Sequence, residues 1–184
     1  TGMTLGEYLS SEIFEPLGMS DTAFYVPADK AGRLSDVFAY HPETKNFQLT
    51  KLNQFGDMSY RKETRRMESG GGGLVSTLAD YARFCQMLAN RGELGGVQIL
   101  KPESIELMST DVLSEEQNLD IAGTLTEAES SRLGFGLNVG IIRTSETSQS
   151  GISKGSYFWG GAAGTWFWID PANKLYFIGM IQRF

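Results

Sequence analysis

The segment Trp159-Gly160-Gly161-Ala162-Ala163-Gly164 carries almost no side-chain cover. Such a run lets a ligand approach the peptide backbone closely, and backbone N–H groups are the donors that a reaction developing negative charge on oxygen requires. It equally suits a tight reversal between the aromatic stretches on either side, and chemistry alone favours that plainer reading. Ser59-Tyr60-Arg61-Lys62 sets a hydroxyl three residues before an amine, as a nucleophile and its base require. Its highly charged surroundings are wrong for the start of a buried helix, so we read it as a decoy. The run Gly70 to Gly73 is not a phosphate cradle, because no Gly-Lys-Ser/Thr follows it. It is expected to permit close helix packing, with Ser76 or Thr77 capping the next helix.

The remaining chemistry-bearing types are sparse. One Cys and one His allow neither a disulfide nor a Cys/His zinc site within the chain. Cys85 falls on the apolar side of an expected helix and reads as a small buried hydrophobe. His41, in Tyr40-His41-Pro42-Glu43, reads as part of a turn. No cofactor and no metal are expected. The formal net charge is −6, and the densest basic stretch, Arg61 to Arg66, is broken by Glu63 and reads as a solvated loop, so nucleic acid is not an expected partner. No stretch has the length of a membrane span, since the apolar run 175–181 is only strand length. The start does not resemble a signal peptide, and the compartment is not legible: a soluble chain of the cytoplasm or an exported one fits equally.

The elements that must hold these groups follow from periodicity. At 184 residues and 41% hydrophobic content the chain can build a real core. Thr4-Leu5-Gly6-Glu7 has the form of a capping box, opening a helix that runs to about Phe14 and stops at Pro16-Leu17-Gly18. Thr77 starts a second helix, with Leu78, Tyr81, Ala82, Cys85 and Leu88 on one face and an end near Asn90-Arg91-Gly92. Lys101-Pro102-Glu103 starts a third, with Ile105, Leu107 and Met108 available for packing. Residues 41–69 are polar and weakly periodic, a long loop or a small helical excursion. Beyond residue 132 the pattern turns to strands: Phe135–Ile142, Tyr157–Trp159, Thr165–Ile169 and Leu175–Ile181. The last two are apolar at consecutive positions, implying cover on both faces. Asp170-Pro171-Ala172-Asn173-Lys174 and Gly160–Gly164 are the reversals between strands. The aromatic residues near the end make 157–184 the expected structural heart. Helices followed by antiparallel strands give an α+β fold with an antiparallel sheet covered by helices, and part of that cover is expected to come from sequence outside the chain.

Four stretches in order resemble the serine β-lactamase, penicillin-binding protein and esterase superfamily, especially its class C-like and carboxylesterase-type members. They are Ile13-Phe14-Glu15-Pro16-Leu17-Gly18-Met19-Ser20-Asp21-Thr22, then Gly70-Gly71-Gly72-Gly73-Leu74-Val75-Ser76-Thr77 with Asp80, then Trp159-Gly160-Gly161-Ala162-Ala163-Gly164-Thr165, and Trp168-Ile169-Asp170-Pro171. The resemblance implies a β-lactamase/transpeptidase-like fold, incomplete in this chain, with residues 1–184 forming the C-terminal portion of one hydrolase domain. It also implies an acylated Ser with a Lys partner in a Ser-x-x-Lys motif and a Tyr motif, both expected upstream of Thr1. A third element, Lys-Thr-Gly in many members, corresponds to Trp159-Gly160-Gly161.

That element departs from the pattern. Trp159 stands where a cation would be and Gly160 where a hydroxyl would be, so two groups that would engage a β-lactam or peptide carboxylate are absent. The departure favours neutral esters. By family position Ala162 would donate its backbone N–H to the oxyanion, and Trp159, Gly160 and Gly161 would border the substrate pocket; the plain alternative for Trp159 is an ordinary core aromatic. The leading expectation is a serine hydrolase acting on carboxylic esters through an acyl-enzyme. A β-lactamase or D,D-peptidase-like amide hydrolase and a catalytically inactive binding or scaffold relative stand as alternatives. The expected partners are a small-molecule ester or amide and the N-terminal segment, in cis or as a separate polypeptide.

Overall fold

The computed structural model describes residues 2–49, 52–53, 56–57, 68–114, 117, 125–144 and 152–183. The Ser59–Lys62 string and the basic stretch 61–66 lie outside these. The chain forms two compact units, one of residues 1–83, 160–165 and 179–184, the other of residues 84–159 and 166–178.

The first unit begins with α1 (Leu5–Leu9), opened by the expected capping box: Thr4 Oγ1 accepts from Glu7 N–H, and Glu7 reaches back to Thr4 N–H at 2.8 Å. The helix ends at Pro16-Leu17-Gly18 as expected, three residues beyond Phe14. It passes through a π-helical turn (Ser10–Phe14) into α2 (Glu15–Leu17), where Pro16 occupies the first turn. The wider turn relieves the clash a proline ring would make with the carbonyl four residues back, so proline is tolerated. Gly18 ends it in the left-handed conformation at φ +67°, with the Arg83 side chain donating to the Leu17 carbonyl. Among the described residues, Phe14, Leu17, Met19, Phe24 and Val37 are the buried apolar residues of this unit.

Residues 28–33 form a 3₁₀ turn, and the stretch read as a polar loop begins with a hairpin, β1 (Phe38–His41) against β2 (Asn46–Leu49). His41 is therefore the last strand residue, paired with Asn46, rather than a turn residue. A second small hairpin joins β3 (Leu52–Asn53) to β4 (Gly56–Asp57). Only Gly73 of the glycine run is sterically required: a Cβ there would stand 2.6 Å from the Ser69 carbonyl oxygen and 2.7 Å from the Phe24 ring. The close approach is to an aromatic ring and a turn, not to a helix. Thr77, not Ser76, caps α3 (Leu78–Ala89), accepting from Asp80 N–H at 3.2 Å.

In the second unit, the C-terminal half of α3 buries Cys85, Met87 and Leu88, whereas Leu78, at the other end of the helix, is exposed. The Cys85 thiol is fully buried, and desolvation raises its pKa to about 12. It is therefore expected to resist iodoacetamide in the native protein at pH 8 and to react only after urea unfolding, measured as a mass adduct. A hairpin, β5 (Glu93–Leu94) and β6 (Val97–Gln98), turns through Gly95 and Gly96, both at positive φ, the two-residue turn that matches strand twist. It leads to α4 (Pro102–Met108), which has Pro at its first position as expected and buries Ile105; Leu107 faces outward. A short α5 (Glu127–Ser130) has its own capping box.

The sheet is five-stranded, in the order β11-β10-β9-β8-β7. The expected single strand 135–142 is instead a hairpin, β7 (Leu133–Phe135) and β8 (Gly140–Ile142), because Gly136-Leu137-Asn138 reverses the chain: Gly136 N–H donates to Val139 O at 2.8 Å and Asn138 sits at φ +67°. β8 pairs antiparallel with β9 (Tyr157–Gly160). β10 (Trp166–Asp170) and β11 (Leu175–Gly179) follow, joined by a turn too short for anything but an antiparallel pair. Tyr157 and Ile169 are buried, but Trp166, Leu175, Tyr176 and Phe177 are exposed, so within this chain the stretch 157–184 supplies the core only through β9 and the end of β10. Trp166 and Trp168 stack on Phe177 along the open face, with centroids 4.7 and 6.2 Å away.

Asp170 closes β10. Its buried carboxylate accepts from Ser153 N–H, Asn173 N–H and Asn173 Nδ2 at 3.2, 3.1 and 2.9 Å. Burial opposes ionisation, yet the donors from Asn173 and Ser153 outweigh it and hold the carboxyl below its ordinary value. A depressed folded-state pKa stabilises the fold above the unfolded value of about 3.9, and that contribution is lost as pH falls through the folded pKa. The urea-unfolding free energy of wild type should thus exceed that of Asp170→Asn most at neutral pH, with the gap closing below about pH 4.

Candidate functional site

The reversal after β9 is a β-turn of residues 161–164. Gly164 N–H donates to Gly161 O at 2.9 Å, and Gly161 N–H donates to Thr165 O at 2.7 Å. Arg183 N–H donates to Ala163 O at 2.9 Å, Gln182 Nε2 to Thr165 Oγ1 at 3.3 Å, so the chain end pins the turn from one side. Gly164 takes φ +83°, and a Cβ there would press on Ile181 Cβ at 3.2 Å. In this web of described residues the N–H groups of Ala163 and Ala162 make no bond, and the more open of the two residues is Ala162. It is exposed, and among the described residues no acceptor faces its N–H. Ala162 occupies the second position of the turn, where φ is negative and the N–H points away from the closing hydrogen bond. A backbone donor fixed at both flanks and left open to solvent can receive an anionic oxygen without reorganising.

Trp159 belongs to the other unit. It is half-buried on β9, with its ring set edge-on to Phe135, centroids 5.4 Å apart at 61°. Gly160 is the exposed last residue of β9, and Gly161 has room for a Cβ, its nearest neighbour being Thr165 O at 3.4 Å. The four residues singled out in the sequence thus lie consecutively at the end of one strand and the start of its turn.

The other two quoted stretches of the first unit meet through hydrogen bonds. Asp80 Oδ2 accepts from Asp21 N–H at 2.7 Å and from Thr22 Oγ1 at 3.0 Å, and Thr22 Oγ1 lies 2.8 Å from Ser76 Oγ. Ala23 and Val75 exchange backbone hydrogen bonds beside them, at 3.1 and 2.8 Å. Asp21 in turn pairs with Lys30 at 2.5 Å and Arg33 at 2.8 Å, contacts that hold its carboxyl below the usual range. This cluster joins chain segments; its cations are already paired, so it offers Ser76 no amine base.

Sequence reasoning did not find Arg183, whose backbone holds the turn and whose guanidinium lies 5.0 Å over the Phe47 ring of β2. The signal was present in the hairpin, where Phe38-Ala39-Tyr40-His41 and Asn46-Phe47-Gln48-Leu49 flank a Pro-Glu-Thr-Lys turn. Among the described residues no group of three His, Cys, Asp or Glu side chains is placed to hold a metal, and no helix is long and apolar enough to cross a membrane.

Comparison with known proteins completes the picture. A family model described as Beta-lactamase matches residues 1–184. Protein Rv1367c of Mycobacterium tuberculosis is 32% identical over 182 residues, covering 97% of this chain and 43% of that protein. Lovastatin esterase of Penicillium rubens is 31% identical over 197 residues, covering 99% of this chain and 46% of that protein. Among solved structures, simvastatin synthase (LovD) from Aspergillus terreus shares the fold with a TM-score of 0.77 at 21% identity, covering 100% of this chain and 46% of that one. The chain spans about half the length of the curated relatives it matches.

Proposed function

This chain belongs to the beta-lactamase family, and on that footing we propose that it forms the oxyanion-binding part of a serine hydrolase acting on neutral carboxylic esters through an acyl-enzyme. The observation that carries the reading is the exposed Ala162 N–H, which has no acceptor among the described residues in a turn held by hydrogen bonds on either side of it.

In the proposed reaction a serine on a segment outside residues 1–184 attacks the ester carbonyl. Its proton passes to a lysine and tyrosine of that segment, and the carbonyl oxygen becomes an oxyanion that accepts from Ala162 N–H. The tetrahedral intermediate collapses, the C–O bond to the alcohol breaks, and the alcohol leaves with the proton. Water then adds to the acyl-enzyme carbonyl, the same donor holds the second oxyanion, and the acid is released with the serine restored. The segment supplying the serine is in the same polypeptide or in a separate one. Trp159, braced by Phe135, is assigned as an apolar wall for the substrate, with Gly160 and Gly161 leaving the strand edge open to it. The absence of a cation at 159 and a hydroxyl at 160 favours an uncharged ester over a β-lactam or peptide carboxylate. The name of lovastatin esterase agrees with ester chemistry in a relative.

The test is denaturing intact-mass spectrometry of the full-length protein before and after a fluorophosphonate probe, with turnover of short-chain esters and a chromogenic cephalosporin. One adduct together with ester turnover supports the reading. Cephalosporin turnover without ester turnover would replace it by amide chemistry, and neither adduct nor turnover would leave an inactive binding relative.

A further inference from the structure

Arg183 and its neighbours carry a consequence for what the ester looks like. The hairpin β1–β2 and the last residues of the chain enclose an open groove of about 330 Å³. It lies within the first unit, and its apolar lining is Phe38, Phe47 and Ile181, which are 42%, 41% and 48% exposed. Three large apolar side chains this exposed around one concavity are not explained by packing within the unit. The groove is tied to the turn that bears Ala162: Arg183 donates its N–H to Ala163 O while its guanidinium covers Phe47, and Phe38 N–H donates to Gln182 O at 3.0 Å. The groove and the turn that bears Ala162 therefore share one hydrogen-bonded frame.

We propose that this groove holds the apolar acyl chain of the ester, an inference that rests on the oxyanion reading of Ala162. Two features select the occupant. Asp36 and Arg183 both line the groove with opposite charges, and among the described residues neither forms an ion pair. Their charges balance, so the groove carries no net charge that would select an ion and suits an uncharged group. The lining also contains no Lys, His or Tyr. In the proposed reaction the alcohol takes its proton from the lysine and tyrosine of the segment outside residues 1–184, so the groove, built wholly from this chain, is assigned to the half of the ester that stays bound through both steps. Its volume falls at the lower end of small-ligand pockets, about 300–1,000 Å³, which fits an acyl chain rather than a protein surface.

The experiment compares kcat/KM of the full-length protein for ethyl acetate, ethyl octanoate and octyl acetate, in wild type, Phe47→Ala and Ser35→Trp. Phe47→Ala removes a wall and Ser35→Trp fills the groove from its rim. The octanoate-to-acetate ratio is expected to fall about tenfold in each, while the octyl-to-ethyl ratio for the acetates holds. Each ratio is taken within one sample, so a change in the folded fraction cancels. Unchanged acyl ratios in both variants, as when another segment of the chain fills the groove, would overturn the inference alone. So would a fall confined to the octyl-to-ethyl ratio, which would place the alcohol there. If wild type hydrolyses none of the three, the oxyanion reading falls and takes the groove with it.

Discussion

Ala162→Pro in the full-length protein is expected to lower kcat on a neutral ester about 10²- to 10³-fold, the typical cost of deleting one oxyanion donor. The substitution is unusually clean at this position. Ala162 is the second residue of the turn closed by the Gly164 N–H to Gly161 O hydrogen bond, where proline's fixed φ is favoured. Its N–H bonds to nothing among the described residues, so losing it breaks no internal hydrogen bond. The preceding residue is Gly161, which adapts to the extended backbone that a following proline imposes. The thermal midpoint should move by only a few degrees while the rate collapses. Because the lost interaction strengthens as the oxyanion forms, kcat should fall far more than KM rises. Ala162→Gly keeps the donor and should lose much less. A proline variant that turns over at the wild-type rate would remove Ala162 from the chemistry.

A stability effect of similar size is expected in the other unit, where Gly92→Ala should cost about 3–5 kcal/mol. Gly92 follows α3 at φ +97°, a conformation strained for any residue with a Cβ, and a Cβ there would stand 2.0 Å from the Leu100 carbonyl oxygen. The obstacle is backbone rather than a yielding side-chain tip. Nor can the glycine back away, since its N–H donates to Met87 O at 2.8 Å and its carbonyl accepts from Ile99 and Leu100 N–H at 2.9 and 3.2 Å. Gly95, also at positive φ, has no atom near its missing Cβ, so Gly95→Ala should cost only about 1 kcal/mol. Urea unfolding of the two variants separates the steric part from the conformational part.

How much of this was legible in the residues depended on whether a local rule decided the outcome. The Thr4 capping box, Thr77 as a cap, Pro102 at a helix start and the reversal after Asp170 are settled by neighbours three or four positions apart, and they form as the sequence indicates. The helix opened by Thr4 likewise ends at Pro16-Leu17-Gly18 as indicated, but the π turn that carries it three residues past Phe14 has no strong local signature. The strand 135–142 was misjudged because an apolar run was weighed above its own turn residues, Gly136 and Asn138. The β1–β2 hairpin hid in composition: polar overall, it has four exposed aromatic or aliphatic side chains, Phe38, Tyr40, Phe47 and Leu49, and hydropathy averages cannot show pairing. At the candidate site the residue types were readable, but the open Ala162 N–H was not. That depends on how the turn is held in three dimensions, and here a segment some twenty residues away in sequence supplies the Arg183 N–H that binds the Ala163 carbonyl.

The tie between residues 21–23 and 75–80 has an evolutionary consequence. Asp80 grips Asp21 and Thr22, and Ala23 pairs with Val75, so the polypeptide between them leaves and re-enters at one clasp. A closed excursion grows in entropic cost only with the logarithm of its length, about 0.6 kcal/mol per doubling. Insertions or deletions in the excursion therefore leave the clasp nearly indifferent. Phe38 and Phe47 are carried on that excursion, so under the proposed acyl-groove reading a lineage can graft, lengthen or trim it and change its ligand preference while Gly160 and the turn at Ala162 are inherited unaltered.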